Sequence, residues 1–300
     1  MEKLITPYCE DFGKSNIVIK HFPDNESYVF IPKIEAQKDK KITIYHRLYP
    51  EQDKRIFELM LILSRLQKET KDIELFAPYL PYARQDRKRK EGEVVSADVL
   101  CELLKNYGVK KLITYDCHFL PKPGNFTRAG LAIENKSAGP KLYAYAKKYF
   151  DEENKKNNTA EEFVVVSPDE GSSYFIENAK GQKTHSLTKT RGEAKANGEE
   201  NGIHADIHTM EGEIDVEGKN VCILDDIIST GGTIIRAIEH LKARGAKKII
   251  VGATHGVFAG HRIAEKILNN SCSDLFITNA IAVKNATFDP LVQVLELPKS

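Results

Sequence analysis

Short runs of apolar, mostly β-branched residues recur along the chain, bounded by polar and turn-forming residues. Runs of this length are typical of strands that are buried on both faces of a sheet. The clearest of them predict strands at residues 73–77, 111–114, 163–166, 221–224, 248–253 and 274–278. Two weaker runs, at 17–19 and 41–45, are also interpreted as strands.

The segments between these runs place apolar residues three and four positions apart, the spacing of one helix face. This pattern predicts helices at residues 56–66, 97–106, 142–150, 233–243 and 262–269. Strand and helix therefore alternate along the whole chain. Such alternation indicates an α/β fold in which mostly parallel sheets are flanked by helices.

Two polar stretches interrupt this alternation. Residues 151–162 are polar or small and cannot pack a core, so they indicate a boundary between two halves. Residues 179–202 are long for a loop, and such loops are commonly functional lids or disordered. A length of 300 residues favours two domains. We expect one domain over 1–140 and one over 141–282, with the tail 283–300 packing back on the first.

Composition and charge narrow the class of protein. The 44 basic and 43 acidic residues leave a formal charge of +1, which gives no reason to expect nucleic-acid or membrane binding. The five cysteines contain no CxxC pair, which is typical of free thiols in a reducing compartment. The first 20 residues lack the apolar core of a signal peptide, so we expect a cytoplasmic protein.

The segment 221–233 (VCILDDIISTGGT) carries the strongest chemical signal. A buried strand ends in two carboxylates, and a glycine-containing turn leads directly into a helix. Glycines admit an anion close to the backbone, and a helix start favours a phosphate. The carboxylates would suit sugar hydroxyls or Mg²⁺. The alternative is an ordinary strand–helix turn with acidic caps. The candidate ligands are Asp225, Asp226, Ser229, Thr230, Gly231, Gly232 and Thr233.

This segment resembles the phosphoribosyl diphosphate (PRPP) motif. That motif is shared by type I phosphoribosyltransferases, which consume PRPP, and by ribose-phosphate diphosphokinases (PRPP synthases), which make it. The motif alone does not choose between the two. A phosphoribosyltransferase would normally have one such domain and no second, ATP-binding half.

Residues 22–26 (FPDNE) resemble a PRPP-synthase signature in which an aromatic ring stacks on adenine and acids bind the base and ribose of ATP. Phe22, Asp24 and Glu26 match the signature, whereas Asn25 replaces its glycine. Asn tolerates positive φ better than most residues, so the replacement is compatible. The resemblance implies that these residues bind ATP at a subunit interface of a homo-oligomer.

Two further segments resemble the ATP side of PRPP synthases. Residues 78–86 (PYLPYARQD) resemble an element in which Arg84 and Gln85 would contact the phosphates and adenine. Residues 114–118 (TYDCH) resemble an Asp-x-His element that would place His118 at the Mg²⁺·ATP site. The continuation 119–126 departs from the family pattern, which leaves the local loop structure open.

Residues 164–173 (VVVSPDEGSS) and 187–193 (LTKTRGE) resemble the pyrophosphate loop and the catalytic loop of the family. The resemblance implies that Lys189 and Arg191 are catalytic, that Arg191 also contacts ribose 5-phosphate, and that Asp169 joins His118 in binding Mg²⁺. The implied pyrophosphate loop comprises Asp169, Glu170, Gly171, Ser172 and Ser173.

The resemblance covers about residues 17–282 and is closest to the short archaeal-type PRPP synthases. It implies two tandem phosphoribosyltransferase type I-like domains that convert ATP and ribose 5-phosphate into AMP and PRPP. Two alternatives remain: a phosphoribosyltransferase, and a non-catalytic regulatory subunit that resembles a PRPP synthase.

Overall fold

The structure is a computed structural model that describes residues 2–168, 184–191, 207–211, 214–281 and 292–298. The chain divides into two compact units, one built on Met1–Ser137 and the other on Ala138–Asn279. Each unit has its own sheet. Among the described residues, none of the helices is long and apolar enough to cross a membrane.

The first unit contains a six-stranded sheet in the order β1-β4-β5-β6-β8-β7, parallel except for β7, and a separate β2–β3 hairpin. Its strands are β1 (Glu2–Ile5), β2 (Val18–His21), β3 (Ser27–Phe30), β4 (Ile42–Tyr45), β5 (Ile73–Phe76), β6 (Val109–Tyr115), β7 (Gly124–Arg128) and β8 (Leu131–Lys136). Its α-helices are α1 (Gln52–Leu66) and α2 (Ser96–Asn106).

The core of the first unit forms where α1 meets the sheet. Leu59 and Leu63 of α1 and Ile44, Leu75 and Leu112 of the central strands are completely buried in one cluster. Burial of a side chain of this size contributes roughly 1.5–3 kcal/mol. The apolar spacing of α1 and the continuous apolar runs of the strands are thus both explained by this one interface.

The second unit contains an all-parallel six-stranded sheet in the order β10-β9-β13-β14-β15-β16, and an antiparallel β11–β12 pair. Its strands are β9 (Phe163–Ser167), β10 (Thr184–Ser186), β11 (Thr188–Arg191), β12 (Ile207–Glu211), β13 (Asn220–Ile228), β14 (Lys248–Gly256), β15 (Cys272–Thr278) and β16 (Val292–Leu295). Its described α-helices are α3 (Gly139–Asn157), α4 (Gly232–Ala243) and α5 (Ile263–Asn269).

Helices cover both faces of this second sheet. Leu224 and Phe276 are buried against α3, whereas Ile223 and Val251 are buried on the opposite face with α4 and α5. Successive residues of a strand point to opposite faces, so a strand covered on both sides must be apolar throughout. The predicted α/β class, with parallel sheets flanked by helices, is confirmed.

The predicted strands and helices are all present, but the polar stretch 151–162 does not mark the division of the chain. Helix α3 continues through it to Asn157, and the two units divide between Ser137 and Ala138. The stretch is polar because one side of the helix faces solvent. Lys147 forms an i,i+4 ion pair with Asp151 at 2.7 Å, and Glu153 pairs with Lys248 of β14.

The C-terminal tail also differs from expectation. Instead of packing wholly on the first unit, residues of β16 pair in parallel with β15 and extend the sheet of the second unit. Val292 of β16 is buried in that unit's core. Leu297, just beyond the strand, is buried and belongs to the first unit. The hydrogen-bonding edge of β15 explains why the tail first adds a strand there.

Candidate functional site

The turn after β13 brings the predicted sugar-phosphate residues together. Strand β13 lies between β9 and β14, and it continues beyond the predicted end through both carboxylates. Asp225 and Asp226 are buried, and the amide of Asp226 donates to Oδ1 of Asp225 at 2.9 Å. Because adjacent strand residues point to opposite faces, the two carboxylates cannot act as one chelating pair. They therefore offer two separate acceptor positions at the carboxyl end of the strand.

Backbone hydrogen bonds hold the turn itself. The carbonyl of Ile228 accepts from the amide of Phe258, and that of Ser229 accepts from Ala259, both at 3.0 Å. Gly231 has φ = +79°, and a Cβ there would lie 2.9 Å from Cγ2 of Ile263 in α5. Both observations require glycine at this position. The turn is therefore fixed by the segment after β14 and by α5.

Helix α4 begins at Gly232, where a Cβ would meet no atom within 4 Å. The first amides of a helix have no intrahelical partner and lie at the positive end of the helix dipole. No acidic residue occurs in the first turn of α4 to neutralise that end. Thr230 is exposed, and Ser229 and Thr233 are half-buried beside it. This open helix start is suited to a phosphate group.

In the first unit, residues 22–26 form the turn of the β2–β3 hairpin. The amides of Phe22 and Asn25 donate to the carbonyls of Glu26 and Phe22, both at 2.9 Å, and Asp24 Oδ1 accepts from the amide of Glu26 at 3.1 Å. Asn25 has φ = +70°, the positive value expected where it replaces glycine. The ring of Phe22 is 52% exposed. The turn thus presents an aromatic face with acids beside it.

Glu58 of α1 anchors this hairpin, and sequence analysis did not identify it. Its completely buried carboxylate lies 2.8 Å from His21 Nε2 and accepts from Ser27 Oγ at 3.3 Å, so it contacts both strands beside the turn. Arg55 donates to it at 3.2 Å. Burial alone would raise the pKa of Glu58, but the His21 hydrogen bond and the Arg55 charge outweigh it and lower the pKa. The feature of the sequence that could have indicated this role is the position of Glu58 among the apolar residues of the predicted helix 56–66.

Arg84, Gln85 and His118 lie in loops that follow the adjacent strands β5 and β6. Because these strands are parallel, both loops lie at the same edge of the sheet, where α/β proteins bind ligands. The loops are joined at their bases: the carbonyl of Pro78 accepts from the amide of Tyr115 at 3.2 Å. Arg84 and His118 are exposed, and Gln85 is half-buried.

Other predicted site residues are not described in full. Residues 169–173, the predicted pyrophosphate loop, lie outside the described residues. Pro168 precedes them at the end of β9, the strand beside β13. Lys189 and Arg191 lie in β11, with only the backbone described. Sequence analysis predicts a loop over residues 179–202. Of the residues described there, 188–191 form a strand that pairs with β12, in keeping with the alternating β-branched threonines Thr188 and Thr190.

The described residues contain no cluster of three or more His, Cys, Asp or Glu side chains that could hold a metal ion. His118, one of the two predicted metal ligands, is exposed. The other, Asp169, is outside the described residues.

Comparison with protein families and known proteins agrees with this arrangement. Residues 9–108 match the model of the N-terminal domain of ribose phosphate pyrophosphokinase, and residues 133–283 match that of the phosphoribosyl transferase domain. The first match covers most of the first unit and ends before β6, whereas the second covers nearly all of the second unit. The ATP-side candidates therefore lie in or next to the first match, and the sugar-phosphate turn lies in the second.

Similar proteins span nearly the whole chain. The ribose-phosphate pyrophosphokinase of Pyrococcus furiosus is 32% identical over 287 residues, 94% of this chain and 92% of the relative. That of Sulfurisphaera tokodaii is 34% identical, over 87% of this chain and 83% of the relative. A phosphoribosylpyrophosphate synthetase structure from Mycobacterium smegmatis matches with a TM-score of 0.76 at 22% identity, covering 99% of this chain and 95% of that one. The chain therefore belongs to the ribose-phosphate pyrophosphokinase (PRPP synthase) family.

Proposed function

We propose that this chain transfers the β,γ-diphosphoryl group of ATP to the C1 hydroxyl of ribose 5-phosphate, which yields PRPP and AMP. Two features of the chain together carry the proposal. The first is the open start of α4, which follows the end of β13 at Asp225 and Asp226. The second is the presence of another complete α/β unit. A phosphoribosyltransferase needs the first feature but not the second. Relatives that match most of this chain, across both units, are named ribose-phosphate pyrophosphokinases.

The sugar is held by the turn after β13 in this proposal. The amides that begin α4, with the hydroxyls of Ser229, Thr230 and Thr233, bind the 5-phosphate. The buried carboxylates of Asp225 and Asp226 accept hydrogen bonds from the ribose hydroxyls. The sugar is thereby fixed at both ends, and its C1 hydroxyl meets the nucleotide in one orientation.

ATP is held by the first unit. Phe22 stacks on adenine, and Asp24, Asn25 and Glu26 bind the base and ribose. The forked guanidinium of Arg84 pairs with phosphate oxygens, and Gln85 and His118 add hydrogen bonds. The resemblance assigns Lys189 and Arg191 to the transferring group, whose developing charge two cations would stabilise. It assigns the amides of residues 169–173 to the diphosphate.

Magnesium fits this site as an ion that arrives with the nucleotide. Mg²⁺ prefers oxygen ligands and is usually held by one or two carboxylates plus substrate phosphates. The resemblance assigns Asp169 and His118 to the ion, and either Asp225 or Asp226 would add a single carboxylate. Bound Mg²⁺ would neutralise charge on the phosphate oxygens. A site of this kind requires no cluster of protein ligands.

We infer that the chain forms a homo-oligomer in which a second copy covers the hairpin. Tyr28 and Phe30 of β3 and Phe57 of α1 are 43%, 50% and 58% exposed. Alternate residues of β3 pack inward, so the rings of Tyr28 and Phe30 lie on the outer face of the hairpin, and the Tyr28 ring contacts that of Phe22. Sedimentation of the intact chain as a monomer would contradict this. We also place the protein in the cytoplasm, because all five cysteines are free and buried.

The deciding experiment supplies ATP, Mg²⁺ and ribose 5-phosphate without a nucleobase and measures AMP. Release of AMP that depends on ribose 5-phosphate supports the proposal. A second assay supplies PRPP with and without a nucleobase. If the chain releases no AMP in the first assay and consumes PRPP only with the base in the second, it is a phosphoribosyltransferase. A chain that is inactive alone but activates a second protein would be a regulatory subunit.

A further inference from the structure

The β7–β8 hairpin at the edge of the first sheet follows residues 119–126, the stretch that departs from the family pattern. Its two-residue turn, Ala129 and Gly130, has φ values of +46° and +74°, as tight hairpins require. Arg128 is the last residue of β7, and its side chain is 19% exposed. Because Arg128 pairs with Leu131, the first residue of β8, its backbone lies at the amino end of the parallel strands, and its largely buried side chain extends from there.

The Arg128 guanidinium contacts three separate segments. Its Nε donates to Oδ1 of Asp98 in the first turn of α2, and its Nη2 donates to the carbonyl of Asp86, both at 2.6 Å. Its Cζ lies 4.2 Å from the centre of the Phe119 ring. A planar guanidinium can donate in its plane and stack on its face at once. Lysine, a single point charge, cannot replace all three contacts.

Two of these contacts lie beside residues of the proposed ATP site. Asp86 directly follows Gln85, and Phe119 directly follows His118. The two loops are otherwise joined at their bases, where Thr114 and Tyr115 donate to the carbonyl of Pro78. Arg128 joins them a second time, at Asp86 and Phe119, which lie further along the two loops. Because the two loops are joined both at Pro78 and through Arg128, the distance between them is fixed.

We propose that Arg128 is a positioning residue for ATP, which holds the Arg84–Gln85 loop and the His118 loop at a fixed separation. The proposal rests on the proposed function, because those loops are assigned to ATP there. It goes beyond the resemblance, since Arg128 lies just past the stretch where this chain departs from the family. If the Arg128 contacts are lost, the two loops can vary in separation and ATP can bind in several orientations. The loss should therefore weaken ATP binding and leave ribose 5-phosphate binding unchanged.

The kinetic test compares Arg128→Lys with Arg65→Lys. Arg65 is a suitable control because, near the end of α1, it forms an ion pair at 2.6 Å with Glu69, only four residues later in the chain. We expect Arg128→Lys to raise KM for ATP by about tenfold, the equivalent of about 1.4 kcal/mol, and to leave KM for ribose 5-phosphate unchanged. Equal changes in both KM values, or the same effect in Arg65→Lys, would mean that Arg128 has only a structural role.

A second readout needs no catalysis. The chain contains no tryptophan, so Phe119→Trp places a single fluorophore under the Arg128 guanidinium. Adding Arg128→Lys should raise acrylamide quenching of that tryptophan by about twofold or more, whereas adding Arg65→Lys should not. Unchanged quenching would overturn the contact on which the proposal depends.

The two proposals fail in distinguishable ways. Absence of ribose 5-phosphate-dependent AMP release by the unaltered chain contradicts the proposed function, whatever the quenching result. AMP release by the unaltered chain, with a normal KM for ATP in Arg128→Lys, contradicts the positioning role alone.

Discussion

His46 is a completely buried titratable side chain in the first unit. Its Nε2 lies 2.9 Å from the carbonyl of Arg55 and so carries the proton, whereas its buried Nδ1 has no hydrogen-bond partner in the structure. Burial is the main cause that lowers the pKa of His46 from 6.5 to about 4, and the Arg55 charge lowers it slightly further. The hydrogen bond to the Arg55 carbonyl and the charge of Glu58 act in the opposite direction. Protonation would place a charge where no acceptor reaches Nδ1.

This burial predicts a loss of stability in acid. Below pH 6.5 the unfolded chain binds a proton at His46 that the folded chain does not bind until about pH 4. The free energy of unfolding should therefore fall as pH decreases through that window, by at most roughly 3 kcal/mol from this group. Urea unfolding at pH 7 and pH 5 should show a smaller decrease for His46→Gln. Parallel decreases in both proteins would contradict the prediction.

Substitution of Glu58 should impair both stability and ATP use, whereas substitution of another buried carboxylate should impair stability alone. Glu58→Gln removes the charge that faces Arg55 and weakens the bonds to His21 and Ser27, so it should destabilise the chain by about 2 kcal/mol and raise KM for ATP. Glu74→Gln is the control, because Glu74 is also a buried carboxylate that pairs with Lys41 at 2.9 Å. That variant should lose stability but keep its KM for ATP. If both variants impair ATP use equally, the hairpin does not depend on Glu58.

At the scale of elements, α1 supports two of the three segments of the first unit that are proposed to bind ATP. Glu58 holds the β2–β3 hairpin, and Asp53 in the first turn accepts a hydrogen bond from the hydroxyl of Tyr82, two residues before Arg84. The inward face of the same helix packs on the sheet through Leu59 and Leu63. A helix fixed by a buried core is a rigid support for segments that must otherwise lie in solvent.

The strand–turn–helix element of the second unit predicts opposite outcomes at neighbouring glycines. Gly231→Ala should lower the free energy of unfolding by about 1–2 kcal/mol, because it strains a positive φ and forces Cβ against Ile263. Gly232→Ala should be neutral or slightly stabilising, since it begins α4 with open space around its Cβ. Urea unfolding of both variants provides the comparison. A similar loss in Gly232→Ala would show that the turn is not selectively strained.

At the scale of the whole molecule, the two units divide the proposed substrates between them. The first unit carries Phe22, Arg84 and His118 in hairpin and loop segments, and the second carries the carboxylates and helix start of the sugar site. Diphosphoryl transfer needs both substrates together, so a residue that acts only on the transferring group should affect turnover without affecting either binding site.

Lys189 is predicted to affect turnover without affecting the binding of either substrate. Lys189→Ala should decrease kcat by about 10²–10³-fold and change the KM for either substrate far less, because its charge acts on the transition state. The exposed Lys88 provides a matched control, and Lys88→Ala should retain normal turnover. Near-normal turnover of Lys189→Ala would exclude it from catalysis.

The amino-acid sequence by itself determined the order of the predicted strands and helices and the strand–turn–helix arrangement of residues 221–233. Both depend on local information: periodicity reports which faces are buried, and the strand, the carboxylates, the glycines and the helix start of 221–233 are contiguous. The positive φ of Asn25 was predictable for the same reason, since it is a property of one residue in one turn.

Only the tertiary structure decided which distant residues meet. Glu58 contacts His21 and Ser27, which precede it by 37 and 31 residues, and Arg128 reaches Asp86, 42 residues before it. The placement of β16 beside β15 likewise depends on an open strand edge that no local pattern reveals. Side-chain contacts and strand neighbours are set by how elements pack, because residues far apart in the chain become adjacent only when the sheet forms.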